Sequence, residues 1–204
     1  MSDDGPAAVD PQRADADRLA GELGGVVHHV QEAFGEVTLD VDPAAVPKVL
    51  AALEAAGYDF LVDAVATDYL EYAAEGVGGY WGGPSNNLMA RDISATGVGG
   101  LGVVPKAPGG KRFSMSYRLL ARGVVPPRRL RVRTFVDEGE SIASAVGVFP
   151  CTDYQEREAF DLMGLRFDGH PNLTRIFLPE DWDGHPHRKD YPVGGEPVQF
   201  SDAT

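Results

Sequence analysis

From Phe113 to Leu119 the large apolar residues Phe113, Met115, Tyr117 and Leu119 alternate with Ser114, Ser116 and Arg118. A period of two puts every apolar side chain on one side of an extended segment, which no helix can do. The chain must therefore build a sheet with one face against a core. Leu130, Val132 and Thr134 alternate in the same way with Arg129, Arg131, Arg133 and Phe135, and Val37, Leu39 and Val41 with Glu36, Thr38, Asp40 and Asp42. The last of these reads as a half-buried strand. Residues 58–67 (YDFLVDAVAT) predict a further strand. Helices are expected over 13–23, closed by Gly24 and Gly25, and where Val46, Val49, Leu50 and Leu53 recur. Asp42-Pro43 is a start signal and Gly57 a stop, while Pro47 fits only a first turn, so the helix begins at one or the other of Asp42 and Val46. The expected class is α+β: a mixed or antiparallel sheet with packed helices, followed by an extended Pro-rich C-terminal arm.

Three regions follow. Residues 1–12 are expected to be a disordered leader. Residues 13–150 form the α+β domain, interrupted by a Gly-rich insertion at 71–111, with eleven glycines between Gly76 and Gly110. Residues 151–204 hold one helix and then the arm. That helix should start at Thr152 or Asp153, where Asp153 and Glu156 resemble a capping box. Tyr154, Phe160 and Met163 can face inward, Arg157 and Asp161 can pair across one turn, and Gly164 should end it. Pro171, Pro179, Pro186, Pro192 and Pro197 then forbid another long helix. Because the arm still carries Leu165, Phe167, Leu173, Ile176, Phe177, Leu178, Trp182 and Tyr191, it should lie against a surface, its own or a partner's. Asp168-Gly169-His170-Pro171 recurs as Asp183-Gly184-His185-Pro186, an echo too short to be a structural repeat.

Charge and cysteine content remove several functions. The net charge of -13 repels phosphate backbones and argues against nucleic-acid binding. One cysteine, Cys151, closes no internal disulfide and cannot supply the thiolates of an iron–sulfur cluster. It reads as a buried structural thiol. No apolar run reaches the ~18 to 20 residues of a membrane span, and the acidic start lacks the basic, apolar pattern of a signal peptide. The chain is expected to be cytoplasmic, with membrane contact only through other proteins.

Chemistry-bearing patterns each have a plainer account. Gly97 to Gly102 looks like a phosphate loop, but Val103-Val104-Pro105 follows where a helix is needed, so it reads as a flexible loop. His170, His185, His187 and Asp190 could bind zinc, and a stand-alone metal hydrolase using His170, His185 and His187 is one alternative. Their spacing matches no metalloenzyme signature, and His-Pro steps are ordinary in turns. Glu156, Glu158 and Asp161 could serve acid–base work, yet an ion-pair network at a surface or interface with Arg157 accounts for them better. Arg129, Arg131 and Arg133 share one strand face, and Glu36, Asp40 and Asp42 another. Those faces either pair with each other or leave a patch for an acidic partner. A third alternative is an independent binding module with the Gly-rich loop as its contact surface.

The stretch from Glu156 to Pro192 resembles a known signature. Glu156-Arg157-Glu158, Asp161-Leu162-Met163-Gly164, Phe167-Asp168-Gly169-His170-Pro171, Leu173-Thr174-Arg175-Ile176, Pro179-Glu180-Asp181-Trp182-Asp183-Gly184-His185-Pro186 and Arg188-Lys189-Asp190-Tyr191-Pro192 follow in the order found in the respiratory complex I 30 kDa-type subunit family. Gly57 to Leu61, Asp68 to Leu70 and Phe113 to Leu120 resemble the family's N-terminal domain more loosely. The Gly-rich segment departs from the family, which joins these strands by a shorter turn. A C-terminal extension of some relatives is expected to be missing after Phe200. The resemblance implies a non-redox structural and assembly subunit of a proton-translocating NADH:quinone oxidoreductase. It implies no cofactor in this chain, with FMN and iron–sulfur clusters in partner subunits. The implied partners are a quinone-site subunit of the forty-nine-kilodalton type, an iron–sulfur subunit of the twenty-kilodalton type and other complex I subunits, at the cytoplasmic face of the cell membrane. Glu156, Arg157, Glu158, Asp161, His170, Arg175, Trp182, His185, Arg188, Lys189 and Asp190 are the expected interface or core-locking residues. The same resemblance leaves open the equivalent subunit of a membrane-bound hydrogenase or a dehydrogenase with another donor.

Overall fold

The computed structural model describes residues 10–70 and 111–192. The leader up to residue 9, the Gly-rich segment 71–110 with its Gly97–Gly102 motif, and the chain beyond residue 192 lie outside the described residues.

A five-stranded mixed sheet organises the molecule. Its strands are β1 (Val27–Ala33), β2 (Glu36–Val41), β3 (Phe60–Asp68), β4 (Phe113–Ala121) and β5 (Arg128–Val136), in the spatial order β1-β2-β5-β4-β3. All neighbours are antiparallel except β2 and β5, which run parallel. The registers Val37↔Leu130, Leu39↔Val132, Tyr117↔Val132 and Ala64↔Tyr117 align the alternating apolar residues into one continuous face. Helices α1 (Pro11–Leu23) and α2 (Val46–Ala55) cover it, burying Ala16, Leu19, Val46, Val49, Leu50 and Leu53. Full burial of each Leu or Val contributes about 1.5–3 kcal/mol.

Local chemistry sets the boundaries. α1 starts at Pro11, two residues before the predicted start, because the Asp10 carboxylate accepts from Gln12 N–H at 2.9 Å and Pro11 fits the first helical position. Both start signals of α2 are used: Pro43–Ala45 forms a 3₁₀ turn, and α2 follows from Val46 with Pro47 in its first turn. β1 has no clear sequence signal, since a bulge between Val27 and His29 breaks its alternation. It returns into β2 through Phe34 and Gly35, both at positive φ, as a two-residue hairpin turn requires. β2 is not half-buried as its alternation predicts. Thr38 and Asp40 on its polar side are 6% and 4% exposed, because it is flanked on both edges and Arg133 lies over it.

That polar side settles where the arginines go. Arg133 donates to both Asp40 oxygens (2.8 and 3.1 Å) and Arg131 pairs with Glu36, so these two pair within the chain. Asp42 instead meets His28.

After β5 the chain builds a small βαβ unit. β6 (Ser141–Ala143) leads through a loop to α3 (Thr152–Met163), and β7 (Arg166–Asp168) returns parallel to β6. α3 packs against β3, and Ile142, Leu165 and Phe167 extend the core beneath it. Residues 169–192 contain no helix or strand.

Candidate functional site

α3 is the hub, and its inward positions are polar. Glu156 is fully buried. Its carboxylate accepts from Ala145 N–H (2.7 Å), Ser144 Oγ–H (2.7 Å) and, weakly, Tyr117 O–H (3.5 Å). Burial raises its pKa and these donors only partly offset that. The predicted capping box therefore does not form: Cys151 occupies the N-cap without a side-chain bond, and the Thr152 hydroxyl donates to the Phe149 carbonyl. Cys151 itself is exposed rather than buried. Tyr154, expected to face inward, is 66% exposed, because Thr152, Glu156 and Ala159 take the inner stripe.

Asp161 is equally buried, and it replaces the expected surface pair with Arg157. One carboxylate oxygen accepts three successive backbone N–H groups, from Ile176, Phe177 and Leu178, at 2.7–3.0 Å. Arg175 lies 3.7 Å from the other oxygen. Burial pushes the carboxyl upward, but the three amides and Arg175 outweigh it and hold the pKa below the ordinary value. Arg157 turns instead to Thr174, donating to its carbonyl and hydroxyl oxygens. Sequence spacing could not reveal a carboxylate held in its charged form by backbone donors 15 to 17 residues away.

The two Asp-Gly-His-Pro turns share a geometry. Gly169 and Gly184 have φ of 80° and 84°, and each turn brings a histidine onto an α3 carbonyl. His170 Nε2 lies 3.3 Å from Asp153 O, while its Nδ1 accepts from Asn172 N–H, so Nε2 carries the hydrogen. His185 Nδ1 donates to Asp161 O at 2.8 Å. These anchor points are eight residues apart, roughly 12 Å along the helix. The histidines needed by the metal alternative are thus tied to opposite ends of α3, and among the described residues no group of three or more His, Cys, Asp or Glu is placed to hold a metal ion.

Past His185 the chain closes on the end of α3 and on the sheet. Arg188 Nε donates to Met163 O at 2.7 Å and Nη1 to Glu138 at 2.6 Å. Gly164, left-handed at φ 75°, leaves room for this: a Cβ there would sit 2.6 Å from His185 and 2.7 Å from Arg188. Arg112 grips Asp68 with two donors (3.1 and 2.9 Å) and reaches Asp190 at 2.7 Å, while Lys189 N–H donates to Asp68. Burial works against the Asp68 carboxylate, but Arg112 and the backbone amides of Lys189 and Leu70 hold its pKa below the ordinary value. Both Arg112 and Arg188 stack on Phe113.

Most of the predicted site residues therefore meet their own chain. Asp161, Arg175, His185 and Arg188 gather at the end of α3, Glu156 and His170 at its first half, and Lys189 and Asp190 at Asp68. Arg157 holds Thr174. Glu158 and Trp182 are exposed. Sequence reasoning missed Asp68, Arg112, Tyr117, Glu138 and Ser144 as parts of this block. Only the stop-signal reading of Gly164 touched its role.

The profile of a family described as "Respiratory-chain NADH dehydrogenase, 30 Kd subunit" matches residues 39–197, from the middle of β2 through β3, β4, β5 and α3 to the clasped segment. The chain belongs to this family. Relatives include the C subunit of the NADH-quinone oxidoreductase of Saccharopolyspora erythraea, 46% identical over 52% of this chain, and that of Salinispora arenicola, 50% identical over 44%. The matches cover 41% and 34% of those proteins, so the chain spans less than half the length of the curated relatives it matches. Two solved structures share the fold. A trypsin-resistant fragment of Nqo5 aligns with TM-score 0.53 and 21% identity over 78% of this chain and 97% of its own. A chain of the membrane-bound sulfane sulfur reductase, an archaeal respiratory membrane complex, aligns with TM-score 0.59 and 14% identity over 90% of this chain and 87% of its own.

Proposed function

We propose that this chain is a non-redox structural and assembly subunit in the peripheral arm of a proton-translocating NADH:quinone oxidoreductase, where it supports the quinone-site module. The observation that carries the reading is the family match across residues 39–197, together with relatives at 46–50% identity that bear the name of an NADH-quinone oxidoreductase C subunit. The chemistry agrees with it. Several polar residues of the signature, Glu156, Arg157, Asp161, His185 and Arg188 among them, find partners inside the chain, as in a part built to hold shape. A single cysteine cannot ligate an iron–sulfur cluster, which needs about four thiolates. On this reading FMN and the clusters belong to partner chains, and the partners are a quinone-site subunit of the forty-nine-kilodalton type and an iron–sulfur subunit of the twenty-kilodalton type. Among the described residues no helix is long and apolar enough to cross a membrane. The chain reaches the cytoplasmic face of the cell membrane through those partners.

A second reading, the equivalent subunit of a membrane complex with another electron donor, is favoured by the fold shared with the sulfane sulfur reductase chain. Purifying the tagged chain from its host in mild detergent separates the two. Co-purifying iron–sulfur and membrane subunits with inhibitor-sensitive NADH:quinone activity support the first. The same kind of assembly without NADH oxidation supports the second. A chain recovered with neither set of partners overturns both.

A further inference from the structure

Phe177 and Trp182 are 62% and 43% exposed, although hydrogen bonds hold the backbone on either side of them to α3. Leu178 N–H donates to the Asp161 carboxylate and His185 Nδ1 donates to the Asp161 carbonyl, so residues 179–184 leave α3 and return to it at one residue. Trp182 N–H donates to Pro179 O and closes a turn inside this loop. Gly184 stands at φ 84°, where a Cβ would strike the Tyr191 ring at 2.9 Å. Phe177 is fixed beside the loop by its own N–H, 2.7 Å from Asp161. The loop is thus shaped before anything binds. Around Trp182, Glu180, Asp181 and Asp183 are exposed and make no ion pair among the described residues.

We infer that Trp182 and Phe177 form a preshaped plug that seats in an apolar pocket of another protein subunit, a pocket rimmed by lysine or arginine. Exposed aromatics held rigidly lose little freedom on binding, and residues of this kind dominate interface energetics. An unpaired acidic rim selects a basic partner surface and speeds encounter with it. The inference rests on the reading that this chain is one subunit of a larger complex, and it names the contact surface and the chemistry of the partner.

The test uses the full-length tagged chain in its host. A photoreactive phenylalanine analogue replaces Trp182 in one strain and Phe177 in another. After irradiation, cross-linked peptides are mapped by mass spectrometry. The expected result is a cross-link to a peptide of a co-purifying subunit that combines apolar residues with lysine or arginine. In parallel, the double variant Phe177→Ala/Trp182→Ala should lower recovery of partner subunits at least about tenfold. The exposed edge-strand variant Phe60→Ala should not. Asp181→Lys should weaken recovery most at low salt. Unchanged thermal midpoints of the isolated variants would place the effect at the interface. Full recovery of partners with the double variant, or cross-links confined to lipid or to the chain itself, would overturn the plug while leaving the subunit reading intact. If the unmodified chain recovers no respiratory subunits, the reading beneath it falls as well.

Discussion

Two buried carboxylates on one helix are stabilised in opposite ways, and pH separates them. Glu156 has a raised pKa, so folding favours its protonated form, and its contribution diminishes as pH climbs from its ordinary value near 4.5 through the folded value. Glu156→Gln keeps a carbonyl acceptor for Ala145 N–H without the buried charge. It should change stability at neutral pH by less than about 1 kcal/mol and flatten that pH dependence. Glu156→Ala leaves the Ala145 amide unsatisfied beside a new cavity and should cost about 2–4 kcal/mol. Urea unfolding of the three proteins between pH 5 and 8, roughly the range where most proteins are stable, decides this; equal losses for Gln and Ala would refute it. Asp161 and Asp68 have lowered pKa values, so their contribution is present above the ordinary value of 3.8 and lost as pH falls through the folded value. Acid should release the segment after residue 170, seen as faster amide exchange there than in the sheet.

At the scale of elements, what matters is how segments without regular structure are held. The stretch from Thr174 to Leu178 forms no ladder, yet Asp161 takes three of its amides. Asp161→Ala should cost about 3 kcal/mol, since one change removes the shared acceptor of three part-buried donors. Limited proteolysis should then cut between residues 174 and 184 while the sheet survives. Intact protein at matched protease exposure would show that the loop is held some other way. Gly164→Ala should cost about 1–3 kcal/mol through its positive φ and the clash with His185 and Arg188. In the sheet, Arg133→Ala would leave the buried Asp40 with only the exposed His29, 3.9 Å away, as an ionic neighbour, which costs about 3–5 kcal/mol. The double replacement of Arg133 and Asp40 by apolar residues should recover most of that loss, as denaturant midpoints would show.

For the whole molecule, polar clasps join the sheet to the C-terminal segment. Arg112 binds Asp68 and Asp190, and Arg188 binds Met163 O and Glu138. Arg188→Ala should therefore lower the amount of assembled complex several-fold in the host while the isolated chain keeps its sheet. Native gels with circular dichroism of the purified chain check both halves. Normal assembly with slow turnover would mean that Arg188 does not act as an anchor.

Sequence alone determined three of the strands, β2, β4 and β5, and which of their faces meets the core, because alternation of apolar residues at 113–119, 130–134 and 37–41 puts them all on one side of an extended segment. It also determined the stop at Gly164, where only glycine readily takes the left-handed conformation, and the family, through a long ordered signature. β1 stayed hidden because a bulge broke its period, and β6 and β7 because three residues carry no period. Tertiary structure alone decided the rest. Whether Glu156 and Asp161 were surface charges or buried acceptors depended on backbone amides at 145 and 176–178, and Asp68 gained its meaning from Arg112 and the Lys189 amide, far along the chain. Such contacts leave no local pattern, since a carboxylate can be satisfied equally well by water, by a neighbour one helical turn away or by distant backbone. The fold selects among these by placing donors where water cannot reach.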